Sequence, residues 1–112
     1  MMNVYDTANR LAVELKQSEE YVNYKMAKEA LALNSELKKK ISEFEAVRYD
    51  AQLTQMQTGR ENEEKTNKMK ELYAELIQID EAKKYFDAEM KFNIVLADVN
   101  KIIGEAVRDV LQ

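Results

Sequence analysis

Residues 80–112 read DEAKKYFDAEMKFNIVLADVNKIIGEAVRDVLQ, and their spacing predicts one long helix. Ala82, Tyr85, Phe92, Leu96, Val99, Ile103, Ala106 and Val110 follow the three- and four-residue repeat of a single helical face. Glu89 alone breaks the stripe. At a rise of 1.5 Å per residue, about 30 residues extend about 45 Å, longer than a compact domain of this size is wide. Such a stripe needs long partners in its own chain, a second subunit, or both. Phe92, Leu96, Val99 and Ile103 are the expected anchors of an oligomer contact, with Tyr85 and Glu89 at its near end.

The rest of the sequence supports an all-α fold. Its 112 residues leave room for a single helical domain, 1–112, with one modest core. There is no proline and there are only two glycines, Gly59 and Gly104, so polar caps do most of the punctuation. Charged residues make up 34% of the chain, a bias typical of long helices. Asn3 is a cap for a helix from about Val4 to Lys16, with Val4, Ala8, Leu11 and Leu15 on one side. Ser18 is the next cap, ahead of a helix whose predicted face is Val22, Met26, Ala30 and Leu33, widened by Tyr21 and Ala27. Asn34 and Ser35 mark a third start. That helix runs to about Thr58 on Leu37, Ile41, Phe44 and Ala51, with Val47 beside them and Arg48 inside the stripe. Gly59 suits the left-handed position after a helix. The apolar-free run GRENEEKTNK, 59–68, reads as a loop, with Asn62 as an alternative helix start. A fourth helix carries Met69, Leu72, Tyr73 and Leu76 and ends near Gln78, and Asp80 caps the last. The expected architecture is an elongated helical bundle with two long helices and shorter N-terminal ones, completed by oligomerisation.

Composition removes much chemistry. Without histidine there is no Ser-His-Asp triad and no His base or His-bound metal within the chain. Without cysteine there is no thiol catalysis, disulfide or thiolate-bound cluster. Tyr, Lys, Asp and Glu remain, but the carboxylates at 43, 45, 61, 63 and 64 lack the spacing of a metal pair on a helix, and the Glu-x-x-His of di-iron bundles is absent. No catalytic residue, cofactor or metal is expected, and the protein reads as a non-enzyme. No signal-peptide run or membrane-length apolar stretch is seen, which makes the cytoplasm the expected setting. The net charge of −4 disfavours nucleic acid, whose binding rests on phosphate neutralisation. Lys38, Lys39 and Lys40 form the only basic triplet, and successive residues fan round a helix rather than making a patch.

Arg48 and Glu89 stand out because each interrupts an apolar stripe. Two readings remain open for them. Either they meet, within one chain or across a subunit boundary, and fix register, or both snorkel to water. Most aromatic residues sit at core spacing; Tyr5, Tyr24 and Tyr49 do not, and interfaces are enriched in tyrosine.

Ser18-Glu19-Glu20-Tyr21, Phe44, the segment from Gln55-Met56 to Gly59, Ala88-Glu89, and Leu96 with Val99-Asn100-Lys101-Ile102-Ile103 resemble the YlbF/YmcA family of Gram-positive bacteria, and within it the YheA-like branch. The resemblance runs along nearly the whole chain. It implies a small cytoplasmic helical protein that forms homo- or hetero-oligomers and carries no known catalytic residue. Branches of that family are implicated in competence, sporulation, biofilm formation and RNA processing. Some carry cysteine-bearing extensions associated with iron–sulfur clusters, and no cysteine stands in this sequence to bring that chemistry along. The expected function is therefore a homo-oligomeric regulatory or adaptor protein, with a family paralogue or an RNA-processing protein as further partners. An RNA-associated protein with a basic stripe assembled in the oligomer is the alternative.

Overall fold

The computed structural model describes residues 3–111 and shows an all-helical chain of five elements: α1 (Val4–Gln17), α2 (Glu19–Ala32), α3 (Ser35–Thr58), α4 (Glu63–Leu76) and α5 (Asp80–Leu111). No strand occurs among the described residues. Short polar side chains set the helix starts as expected. Asn3 accepts from the Asp6 amide at 2.9 Å, Ser18 Oγ from the Tyr21 amide at 3.2 Å, and Asn34 from the Leu37 amide at 3.1 Å. Each satisfies a donor that the first turn of a helix leaves open. Gly59 ends α3 at φ 73°, where its amide donates to the Gln55 carbonyl.

One boundary falls on the alternative that the sequence left open at Asn62, and another differs from the sequence reading. The helix after Gly59 starts at Glu63, because Asn62 accepts from the Lys65 amide at 3.0 Å and Glu63 and Glu64 favour the positive end of a helix. The apolar-free run is thus mostly first turns of α4. Asp80 is the first residue of α5 rather than its cap, and the Ile79 carbonyl accepts from the Lys83 amide instead.

The chain divides into two compact units, and α2 and α5 contribute to both. Lys28–Tyr85 holds the core: Leu31, Leu37, Ile41, Phe44, Ala51, Leu76, Ala82 and Tyr85 are buried, with Thr66 beside them. α3 and α4 are its closely packed pair. Phe44 lies 5.7 Å from the Tyr73 ring, and Lys65 bridges back to α3, 2.8 Å from Thr54 Oγ1 and 3.2 Å from Asp50. The row Leu37, Ile41, Phe44 and Ala51 is therefore inward, as its spacing predicts.

The other unit comprises Met1–Ala27 and Phe86–Gln112, and among its described residues only Phe86 is buried. Its best-defined contact is aromatic. Tyr21 meets Phe92 edge-on at 5.6 Å, Tyr24 tilts against the same ring at 5.9 Å, and the Tyr24 hydroxyl donates to Glu89 at 3.4 Å. The inward face of α2 is thus Tyr21, Tyr24, Ala27 and Leu31, whereas Val22, Met26 and Leu33 are exposed. That corrects the face read from sequence. The reason is that α2 carries apolar residues on both sides, so periodicity alone does not choose between them. No helix of the described residues is long and apolar enough to cross a membrane.

Candidate partner-binding surface

Cover is lost steadily along the stripe of α5. Ala82 is fully buried and Tyr85 nearly so; Glu89, Phe92, Leu96 and Val99 are half-buried; Ile103 is 52% and Val110 81% exposed. Beside this row Ile102 is 68% exposed and Val107 is exposed too. The residues read from sequence as one contact set therefore do different things. Tyr85 belongs to the core of its own chain and donates its hydroxyl to Glu45 at 3.1 Å, which leaves little of it for a partner. Phe92 is engaged by Tyr21 and Tyr24 on one side. Leu96 and Val99 are half-buried, and Ile103 is the member of the set that is exposed.

The charges within the stripes each find company. Arg48 lies 5.3 Å over the ring of Phe44, four residues back on the same helix, a cation–π contact that suits a guanidinium. Glu89 accepts from Tyr24. Tyr24, one of the tyrosines without an obvious place in the sequence, is thus part of an aromatic cluster within the chain.

Ile102 and Val107 are signals the stripe reading passed over. They flank the strict three-four row, so a search for one face misses them, although their chemistry extends it. Phe86 escaped for the same reason.

A cavity of about 340 Å³ has a floor of Leu31, Ile41 and Tyr85 and a rim that mixes Lys28 and Lys38 with Glu29 and Glu45. Its floor is apolar, and its mouth is open to solvent. Among the described residues no buried side-chain nitrogen or oxygen lacks a hydrogen-bond partner, and no group of three or more carboxylates gathers as a metal site. The lysine triplet is dispersed: Lys38 faces the cavity just described, and Lys40 borders two smaller ones with Glu36, Glu43 and Glu75 among their walls.

The fold and this surface define a class, an all-helical protein whose apolar faces exceed what its own core covers. The chain belongs to the YlbF/YmcA family, described as control of competence regulator ComK, whose family model matches residues 4–108. It is 34% identical over 110 residues to a UPF0342 protein of Desulfitobacterium hafniense, covering 98% of this chain and 89% of that one. A UPF0342 protein of Clostridium novyi is 36% identical over 109 residues, covering 96% and 95%. Among solved structures, the chain is similar to one in the X-ray crystal structure of Bacillus subtilis RicA in complex with RicF, with 25% identity, a TM-score of 0.61 and coverage of 97% and 96%.

Proposed function

We propose that this protein is a non-enzymatic adaptor that assembles with itself through its long helices and regulates other proteins by contact. The observation that carries the reading is the loss of cover along α5, from a fully buried Ala82 to a largely exposed Val110, on an apolar row that only Glu89 interrupts. Apolar surface of this extent on a small protein marks an interaction site. Membership of a family described by control of a competence regulator supports the regulatory half of the proposal, and the RicA–RicF complex supports protein partners. A cytoplasmic setting, and a family paralogue or an RNA-processing protein as the regulated partner, go with the same reading.

The contact rests on Phe92, Leu96, Val99 and Ile103, with Glu89 at its edge. Arg48 is proposed to border it, held by Phe44. The test is solution mass by light scattering on the full chain. Leu96→Asp with Ile103→Asp places two carboxylates in the apolar row, and the oligomer should fall to monomer. A native chain already monomeric at millimolar concentration, or an unchanged mass in the variant, would refute the placement. Affinity capture at low salt then addresses the adaptor role: a co-purifying paralogue or ribonuclease in near-equal amount supports it, and recovery of the protein alone removes it.

A further inference from the structure

The cavity among α2, α3 and the start of α5 has no part in the adaptor reading. It lies wholly within Lys28–Tyr85, the unit that holds the core. Its floor takes Leu31 from α2, Ile41 from α3 and Tyr85 from α5, all buried, so it stands on side chains that close packing already holds in place. At about 340 Å³ it sits at the small end of the roughly 300–1,000 Å³ typical of ligand sites.

The rim carries both signs, with Lys28 and Glu29 on α2 and Lys38 and Glu45 on α3. The side chains of Lys28, Glu29 and Lys38 make no ion pair among the described residues, so a ligand can meet them without breaking one. Glu45 is half-buried and held in place. The Tyr85 hydroxyl donates to its Oε1 at 3.1 Å, which fixes a carboxylate at the cavity wall. A carboxylate has about four acceptor sites, so one such bond leaves room for an ammonium group.

This balance of charge selects the ligand. A chain-like anion would find the lysines but face two carboxylates with nothing to offer them, and an apolar amine would face the lysines in the same way. A zwitterion with an apolar side chain answers the floor and both signs of the rim together. The lysine heads swing on long flexible stems, so more than one separation between the ligand's charges is accommodated.

We propose that this cavity binds a small apolar zwitterion, an apolar amino acid either free or as a dipeptide. Its ammonium group goes to Glu45, its carboxylate to Lys28 or Lys38, and its side chain onto Leu31, Ile41 and Tyr85. The bound molecule ties α2, α3 and α5 together within this unit. Self-assembly and the row of α5 beyond Phe86 play no part in it.

The test is an amide-resolved NMR titration of the full chain with leucine and, separately, with leucyl-leucine, each to about 30 mM, above the millimolar constants within reach of ligands this small. Shifts should saturate and centre on residues 28–32, 38–45 and 85, and the tighter binder of the two identifies the source of the ligand. 4-Methylpentanoate lacks the ammonium group and 3-methylbutylamine lacks the carboxylate, and each should bind about ten-fold more weakly than leucine because a charged hydrogen bond is lost. Glu45→Gln keeps an acceptor for Tyr85 and removes the charge. It should weaken leucine about ten-fold and erase the preference over 4-methylpentanoate. Lys28→Gln with Lys38→Gln should erase the preference over 3-methylbutylamine instead. Native-like leucine binding by both variants, or either single-charge analogue binding as tightly as leucine, would overturn the zwitterionic assignment. Shifts centred on α4 or on α5 beyond Phe86 would move the site elsewhere, and no saturable shift with leucine or leucyl-leucine would remove it.

Discussion

At the scale of single residues, Phe44 and Lys65 make an instructive pair, since both join α3 to α4 and only one should matter. Phe44 is buried, stacks with Tyr73 and carries Arg48 on its ring. Phe44→Ala removes packing on every side and should cost about 3–5 kcal/mol, read as a lower urea midpoint. Lys65 reaches Asp50 and Thr54, but its side chain and that of Asp50 are 37% and 57% exposed. Solvent screening leaves such a pair worth under about 0.5 kcal/mol, so Lys65→Ala should barely move the midpoint. A larger loss for Lys65→Ala than for Phe44→Ala would mean that polar bridging, not burial, holds α3 to α4. Phe44 was legible in the sequence because it falls on the strict row with Leu37, Ile41 and Ala51. Phe86 was not, because it follows Tyr85 directly and lies off the row that Tyr85 continues. The company kept by Arg48 and Glu89 was also hidden, since an aromatic ring four residues back and a hydroxyl 65 residues away in sequence leave no periodic trace.

At the scale of elements, existence and order were legible and facing was only partly so. Four of the five helices start at a cap, since Asn3, Ser18, Asn34 and Asn62 each accept the amide that a first turn leaves open, and α5 follows from spacing. α3 disclosed its inward face through the row Leu37, Ile41, Phe44 and Ala51, which keeps helical spacing and is buried throughout. α2 did not, because Val22 and Met26 compete with Tyr21 and Leu31, and only packing decides between them. The two glycines make opposite predictions. Gly59 sits at φ 73° with open space around it, so Gly59→Ala meets backbone strain alone and should cost about 1 kcal/mol. Gly104 lies within α5, and a methyl group there meets nothing within 4 Å. Gly104→Ala should therefore stabilise the protein by up to about 1 kcal/mol with its oligomer mass unchanged. A destabilised or dissociated Gly104→Ala chain would show instead that the second copy approaches α5 at that position.

At the scale of the whole molecule, the question is which force joins the copies, and composition alone misleads. A chain that is 34% charged invites an ion-pair interface, with Asp98, Lys101, Glu105 and Arg108 available in alternating sign. Those four share one exposed side of α5, whereas Leu96, Val99 and Ile103 occupy the other, where cover falls from half-buried at Leu96 and Val99 to exposed at Ile103. Burying such apolar surface yields a driving force of about 25 cal/mol per Å², and dissolved salt does not screen it. Contacts between exposed charges behave differently, because the screening length shrinks from about 14 Å near 0.05 M to about 4 Å near 0.5 M salt. The dissociation constant of the oligomer, measured by sedimentation across that range, should accordingly stay level or tighten slightly as salt rises. A constant that weakens ten-fold or more would transfer the interface to the charged side of α5, and the pairing of apolar faces would have to be abandoned.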